Sequence, residues 1–133
     1  MALKDSLSLL LVTALLLLPL FEVSAQGRDP DGTRMQARQV ETGSTHRGSL
    51  TPPHDRADWR MVRLDQRTSL HLALSIESGG TATLTLTDST GDRLNSLSAS
   101  PGDDATLSTS LDAGIYYIAV ESSEALRYDL TIR

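Results

Sequence analysis

Two stretches of the sequence decide the fold class: Leu111-Asp112-Ala113-Gly114-Ile115-Tyr116-Tyr117-Ile118-Ala119-Val120, and Tyr128-Asp129-Leu130-Thr131-Ile132 near the end of the chain. The second stretch alternates apolar and polar residues, and the first carries an aromatic and β-branched run, as β-strands do. The Asp-Ala-Gly sequence ahead of Ile115 predicts a tight turn. Together they indicate two strands of a small all-β domain, and they contain no recognisable catalytic motif.

The same alternation recurs through the second half of the chain. Leu70, Leu72, Leu74 and Ile76 share one side of a predicted strand, and residues with small or polar side chains occupy the other. Turn sequences rich in glycine and aspartate recur about every 10 to 12 residues, a spacing typical of a sandwich or barrel. The predicted strands are Trp59–Leu64, Ser69–Ile76, Ala82–Asp88, Arg93–Ser98, Ala105–Leu111, Ile115–Glu121 and Arg127–Ile132, with a short one over Gly48–Thr51. Leu94 and Leu97 break the alternation, which predicts a β-bulge in their strand.

The start of the chain has the composition of an export signal. An apolar run follows Lys4, and Val23-Ser24-Ala25 offers the small residues that precede signal-peptidase cleavage. Pro19 and Glu22 interrupt that run before it reaches the length of a membrane span. We therefore predict a signal peptide over residues 1–25, a disordered linker over 26–47 and a folded domain over 48–133, in a protein that is secreted or periplasmic and has no membrane span after cleavage.

The charge and cysteine content exclude some classes of protein. The net charge is −5, so a basic face for nucleic-acid phosphates is not expected. The chain has no cysteine, so no disulfide braces the domain in its oxidising destination.

Six segments together resemble the bacterial pre-peptidase C-terminal domain family. They are Gly48-Ser49-Leu50, Asp58-Trp59-Arg60-Met61-Val62-Arg63-Leu64, Leu70-His71-Leu72-Ala73-Leu74, the run from Leu84 to Gly91, the run from Ala113 to Val120, and the final strand from Tyr128. The resemblance implies a jelly-roll-like β-sandwich of about 7 to 8 strands, similar to the collagen-binding modules of some collagenases. In that family such modules are commonly appended to secreted peptidases.

Three residues are candidates for a binding surface: Trp59, Arg63 and Tyr117. Tyr117 lies on the opposite side of its strand from Tyr116, and aromatic and arginine side chains dominate recognition surfaces. The alternative for Trp59 is a structural anchor where the chain enters the sandwich, and the alternative for Tyr117 is a cover over neighbouring apolar surface.

No catalytic residue, cofactor or metal ligand is assigned from the sequence. Turn carboxylates at Asp88, Asp92, Asp103, Asp104 and Asp112 leave calcium as an open alternative, although the spacing of an EF-hand loop is missing. The three histidines are scattered and indicate no zinc site. Serines and threonines are abundant, but no Gly-x-Ser-x-Gly elbow is present.

We therefore predict a secreted, non-catalytic module that binds an extracellular or envelope surface, either protein or polysaccharide. The alternative is an accessory or targeting subunit for a separately encoded secreted peptidase or other hydrolase. An enzyme is a third interpretation, through a Ser-His-Asp arrangement formed in space.

Overall fold

A computed structural model describes residues 31–133, which form nine β-strands and one turn of 3-10 helix, Arg34–Gln36. The strands are β1 (Arg38–Val40), β2 (Ser44–Leu50), β3 (Ala57–Leu64), β4 (Thr68–Gly79), β5 (Ala82–Thr87), β6 (Arg93–Ala99), β7 (Ala105–Leu111), β8 (Gly114–Glu121) and β9 (Leu126–Ile132). Every strand predicted from the sequence is present, with ends that differ by a few residues.

The strands form two sheets. One has five strands in the order β1-β3-β8-β5-β6, and the other has four in the order β2-β9-β4-β7. β1 runs parallel to β3, whereas the other neighbouring strands in residues 31–133 are antiparallel. Strands that pair are mostly distant in the sequence, as β3 and β8 are, which is typical of a double-sheet jelly roll. The predicted all-β sandwich is therefore confirmed.

The core lies between the inner faces of the two sheets. On β4, Leu70, Leu72, Leu74 and Ile76 are at most 4% exposed, as their alternation predicts. The opposite sheet contributes inward side chains from β3, β5 and β8, so apolar residues of both sheets interdigitate. The largest fully buried side chains are Tyr128, Leu50, Leu70, Leu72, Leu74, Leu84, Leu86, Ile118, Leu130, Ile132, Val62 and Val120.

The structure differs from the sequence expectation over residues 31–47, for which the composition predicts a disordered linker. β1 lies within this segment, and β2 begins at Ser44 rather than near Gly48. β2 pairs with β9 over its whole length, and β1 pairs with the edge of β3, so long-range hydrogen bonds order a segment that is poor in apolar residues. The predicted signal peptide, 1–25, and linker residues 26–30 lie outside the described residues.

The predicted bulge in β6 is confirmed. Leu86 of β5 pairs with Asn95, and the next residue, Thr87, pairs with Arg93, so Leu94 is the extra residue on β6. Leu94 is 44% exposed, because the bulge takes it out of the alternation that buries Ala99 and partly buries Leu97.

Candidate functional site

The outer face of the five-stranded sheet carries the candidate site. The register of β3, β8, β5 and β6 places Trp59, Ala119, Thr85 and Ser96 side by side across four strands. Ala119 is fully buried although it faces away from the core, so its larger neighbours cover it. The other three residues of this row, Trp59, Thr85 and Ser96, border an open depression.

The open depression has a volume of about 710 Å³. That volume falls within the range of about 300 to 1,000 Å³ found for small-molecule sites. Thr83, Thr85 and Thr87 of β5 follow one another along it, because alternate residues of a strand face the same side. Its lining residues are Trp59, Thr83, Thr85, Thr87, Gly91, Asp92, Arg93, Ser96 and Glu121.

The three residues proposed from the sequence lie on this same outer face. Trp59 and Arg63 are on β3, and Tyr117 on β8 pairs with Met61 between them. Trp59 is half-buried and lines the depression. Arg63 is exposed, lies 3.5 Å from the carboxylate of Asp65, and lines a second depression of about 420 Å³. The structure therefore places the three candidates on one surface but in different parts of it.

Tyr117 already has a partner from the N-terminal segment. The guanidinium of Arg34 lies 5.4 Å from the centre of the Tyr117 ring, within the range of a cation–π contact. The same guanidinium donates a hydrogen bond of 3.0 Å to the carbonyl oxygen of Ser89 in the β5–β6 turn. Arg34 thus reaches from the β1 side of the sheet over Tyr117 to the turn. This contact could not be predicted from the sequence, because Arg34 lies in the segment whose composition predicts a disordered linker.

A buried polar cluster lies beneath the site, on the inner side of β3. Asp58 and Arg60 are 7% and 4% exposed and face the core, and the hydroxyl of Tyr128 on β9 donates a hydrogen bond to Asp58 Oδ2. The Arg60 guanidinium lies 3.9 Å from the carboxylate of Asp31, which is also 3.8 Å from Arg38. Asp58 and Tyr128 therefore join the two sheets through a hydrogen bond.

Burial changes the acidity of these groups. Desolvation raises the pKa of Asp58 to about 6, although the hydrogen bond from Tyr128 opposes the shift. Burial and the hydrogen bond to Asp58 raise the pKa of Tyr128 far above its usual value, so the hydroxyl stays protonated as the donor. Burial and the charges of Arg60 and Arg38 lower the pKa of His46.

The sequence contained a signal for this cluster. Asp58 and Arg60 have the same parity on β3 as Val62 and Leu64, which are buried. Two charged residues in phase with core positions predict a buried ionic group. The partner of Asp58 is Tyr128 on β9, and the partner of Arg60 is Asp31, ahead of the 3-10 turn.

Two of the turn carboxylates, Asp88 and Asp112, make local hydrogen bonds or an ion pair. Asp88 Oδ1 accepts hydrogen bonds from the hydroxyl and N–H of Thr90 and from the N–H of Asp92, and these contacts hold the pKa of Asp88 below its usual value. Asp112 pairs with Arg67. Between residues 31 and 133, no three histidine, aspartate or glutamate side chains are grouped so that they could hold a metal ion.

Two serine–histidine contacts occur on the four-stranded sheet. Ser44 Oγ lies 2.8 Å from His46 Nε2 on β2, and Ser108 Oγ lies 2.7 Å from His71 Nδ1 across β7 and β4. The second pair lies on the outer face of its sheet, beside a depression of about 160 Å³. Both lie in the other sheet from the Trp59 depression.

The described part of the chain has no helix with the length and apolar character needed to cross a bilayer.

Comparison with solved structures supports the fold. No family model matches the chain, and no curated protein matches it. Among solved structures, the chain is similar to the pre-peptidase C-terminal domain of collagenase from Bacillus anthracis, with a TM-score of 0.65 and 18% identity over 73% of this chain and 94% of that one. It is also similar to CorA, a surface-associated copper-binding protein of Methylomicrobium album BG8, with a TM-score of 0.56 and 7% identity over 73% of this chain and 98% of that one.

The resemblance inferred from the sequence is therefore confirmed at the level of the fold. The chain has the β-sandwich of the pre-peptidase C-terminal domain.

Proposed function

We propose that this protein is a secreted or periplasmic, non-catalytic module that binds an extracellular or envelope surface through the outer face of its five-stranded sheet. The observation that carries the proposal is the open depression of about 710 Å³ beside Trp59. An open depression on a sheet face suits a ligand that is itself an extended surface or chain. A narrow enclosed pocket would suit a small substrate better.

The distribution of apolar residues supports the same assignment. The large apolar side chains of the alternating strands fill the core of a small domain, which needs them for stability. Trp59 differs from them, because it is half-buried on an outward position of β3. An amphipathic ring at the edge of a depression is a common anchor for a bound partner.

We assign contact roles to Trp59, Arg63 and Tyr117, with Arg34 as a fourth contributor. Trp59 borders the depression, Arg63 offers an exposed guanidinium farther along β3, and Arg34 fills the space over Tyr117 between them. A ligand that spans the face meets Trp59 first, then Arg34 over Tyr117, and then Arg63.

The proposal is tested by retention on immobilised surface material. Wild-type protein is passed over the insoluble envelope and extracellular polymers of the producing cells, and Trp59→Ala is compared with it. Ser110→Ala is the matched control, because Ser110 is exposed on the outer face of the other sheet. We expect Trp59→Ala to lose retention and Ser110→Ala to keep it. Loss in both variants or in neither contradicts the assignment of this face.

A second function is favoured by the fold of the collagenase domain. A module with that fold can assist a separately encoded secreted peptidase or other hydrolase, as an accessory or targeting subunit. Co-purification from culture medium distinguishes the two functions. A hydrolase that co-elutes with the wild type in a fixed ratio supports the accessory role, and retention of the isolated module on envelope polymers supports direct surface binding.

A further inference from the structure

We infer that the depression beside Trp59 binds an uncharged polysaccharide. This inference rests on the proposed function, because it names the class of ligand for the surface assigned above. Its basis is the chemistry of the side chains that line the depression, together with the positions of the exposed large hydrophobic side chains in residues 31–133.

The lining matches the groups of a sugar chain. Three threonine hydroxyls and the hydroxyl of Ser96 line the depression, and each can donate one hydrogen bond and accept two. Glu121 adds acceptors and Arg93 adds donors at the same site. Sugar hydroxyls also donate and accept, so a site that mixes both kinds of group can satisfy them in several orientations.

Trp59 supplies the apolar part of the contact. A pyranose ring has a face of C–H bonds, and that face packs against an aromatic ring as other apolar groups do. Thr83, Thr85 and Thr87 span four residue steps of β5, which is about 13 Å at the rise of a strand. The hydroxyl row is therefore long enough to contact more than one sugar unit of a chain.

Thr87 provides an independent indication of a ligand. Thr87 is 6% exposed, lines the depression, and its Oγ1 is buried without a hydrogen-bond partner in the described residues. Native proteins satisfy nearly all such groups. Rotation of the Thr87 side chain about χ1 would bring this hydroxyl to the depression, where a ligand hydroxyl gives it the partner that it lacks within the strand.

The charged side chains at the depression favour an uncharged polysaccharide over a charged one. Asp92 and Glu121 place two carboxylates at the depression, Arg93 places one guanidinium there, and the guanidinium of Arg34 lies against Gly91 at its edge. These opposite charges balance, so the depression offers a charged chain no net attraction, and its hydroxyl groups favour an uncharged chain.

A protein ligand fits this surface less well. Protein interfaces have an apolar or aromatic centre that is fully covered in the complex. Within residues 31–133, the exposed large hydrophobic side chains are Met35, Leu94 and Ile115. They lie on the 3-10 turn, the β6 bulge and the start of β8, and none of them lines the Trp59 depression.

Affinity electrophoresis in native gels tests the inference. The gels contain hydroxyethylcellulose, glucomannan, glycol chitin or dextran as uncharged polymers, alginate as an anionic polymer, or gelatin as a protein. We expect at least one uncharged polymer to retard the wild type, and Trp59→Ala to weaken that interaction about tenfold or more. Thr85→Val replaces a lining hydroxyl with a methyl group of similar size and should also weaken it. Ser110→Ala should bind as the wild type does.

The outcomes separate this inference from the proposed function. Retardation by gelatin or alginate alone overturns the uncharged-polysaccharide ligand and leaves surface binding in place. Retardation by no polymer overturns it as well, and the envelope retention assay then decides the proposed function separately. Retardation by an uncharged polymer that persists in both Trp59→Ala and Thr85→Val overturns the assignment of the ligand to this depression.

Discussion

The hydrogen bond between Tyr128 and Asp58 is expected to make the stability of the domain depend on pH. Tyr128 is fully buried and Asp58 nearly so, and their bond joins β9 of one sheet to β3 of the other. Tyr128→Phe removes only the hydroxyl and keeps the ring that packs against Gly48. A hydrogen bond to an ionised group contributes about 1.5 to 3 kcal/mol, and one between neutral groups about 0.5 to 1.5 kcal/mol.

The protonation state of Asp58 decides which value applies. Its pKa in the folded protein is about 6, so Asp58 is ionised at about pH 8 and mostly protonated at about pH 5. We expect Tyr128→Phe to lower the free energy of unfolding by about 2 kcal/mol at about pH 8, and by about 1 kcal/mol at about pH 5. With a urea m-value of about 2 kcal/mol/M, the midpoint falls by about 1 M and about 0.5 M respectively.

Asp58→Asn serves as the companion variant, because it removes the titrating group. The pKa of Asp58 is about 6 in the folded chain and 3.8 as the ordinary value, so folding favours the protonated carboxyl. The contribution of Asp58 to the free energy of unfolding is therefore fully present below pH 3.8 and is lost as the pH rises through about 6. The wild type should therefore lose about 2 kcal/mol more than Asp58→Asn between about pH 4.5 and 7.5. Equal midpoint shifts for Tyr128→Phe at both pH values, together with parallel pH profiles for wild type and Asp58→Asn, would refute this reasoning.

Three further predictions follow from the fold and the sequence. Leu72→Ala should lower the free energy of unfolding by about 2 to 5 kcal/mol, measured by urea denaturation, because Leu72 is 1% exposed between the sheets; the exposed neighbour change His71→Ala should cost much less. Gly48→Val should abolish folding or reduce the thermal midpoint severely, since a Cβ on Gly48 would overlap the Tyr128 ring; a melt close to that of wild type would mean the ring lies elsewhere. Intact-mass analysis of the exported protein should show cleavage after Ala25, and an uncut chain in the membrane fraction would contradict the signal-peptide assignment.

The strands with an apolar inner face could be predicted from the sequence, because burial of one face imposes a period of two. β4 shows this alternation most clearly, because four aliphatic residues occupy its successive inward positions. β2 could not be predicted in full, because its inward positions before Leu50 hold His46 and Gly48 instead of aliphatic side chains. Glycine occupies inward position 48 because the ring of its cross-strand partner, Tyr128, fills the space that a side chain would need.

The candidate site could be predicted only in part. Parity along β3 and β8 was enough to place Trp59, Arg63 and Tyr117 on outward positions, and they share one face. Thr85, Ser96, Arg93 and Glu121 could not be joined to Trp59 from the sequence, because that requires the strand order β3-β8-β5-β6. Local patterns specify which residues face outward, whereas long-range pairing specifies which of them become neighbours.

The emission of Trp59 gives the most direct test of the central claim, that the outer face of the five-stranded sheet is the binding surface. Trp59 is the only tryptophan in the chain, so intrinsic fluorescence reports on the depression without a label. The protein is titrated with whichever envelope or soluble polymer retains it, and quenching by iodide is measured at each step. We predict a saturable shift in emission and protection of Trp59 from iodide. Retention of the protein on that polymer with unchanged emission and unchanged quenching would contradict the claim.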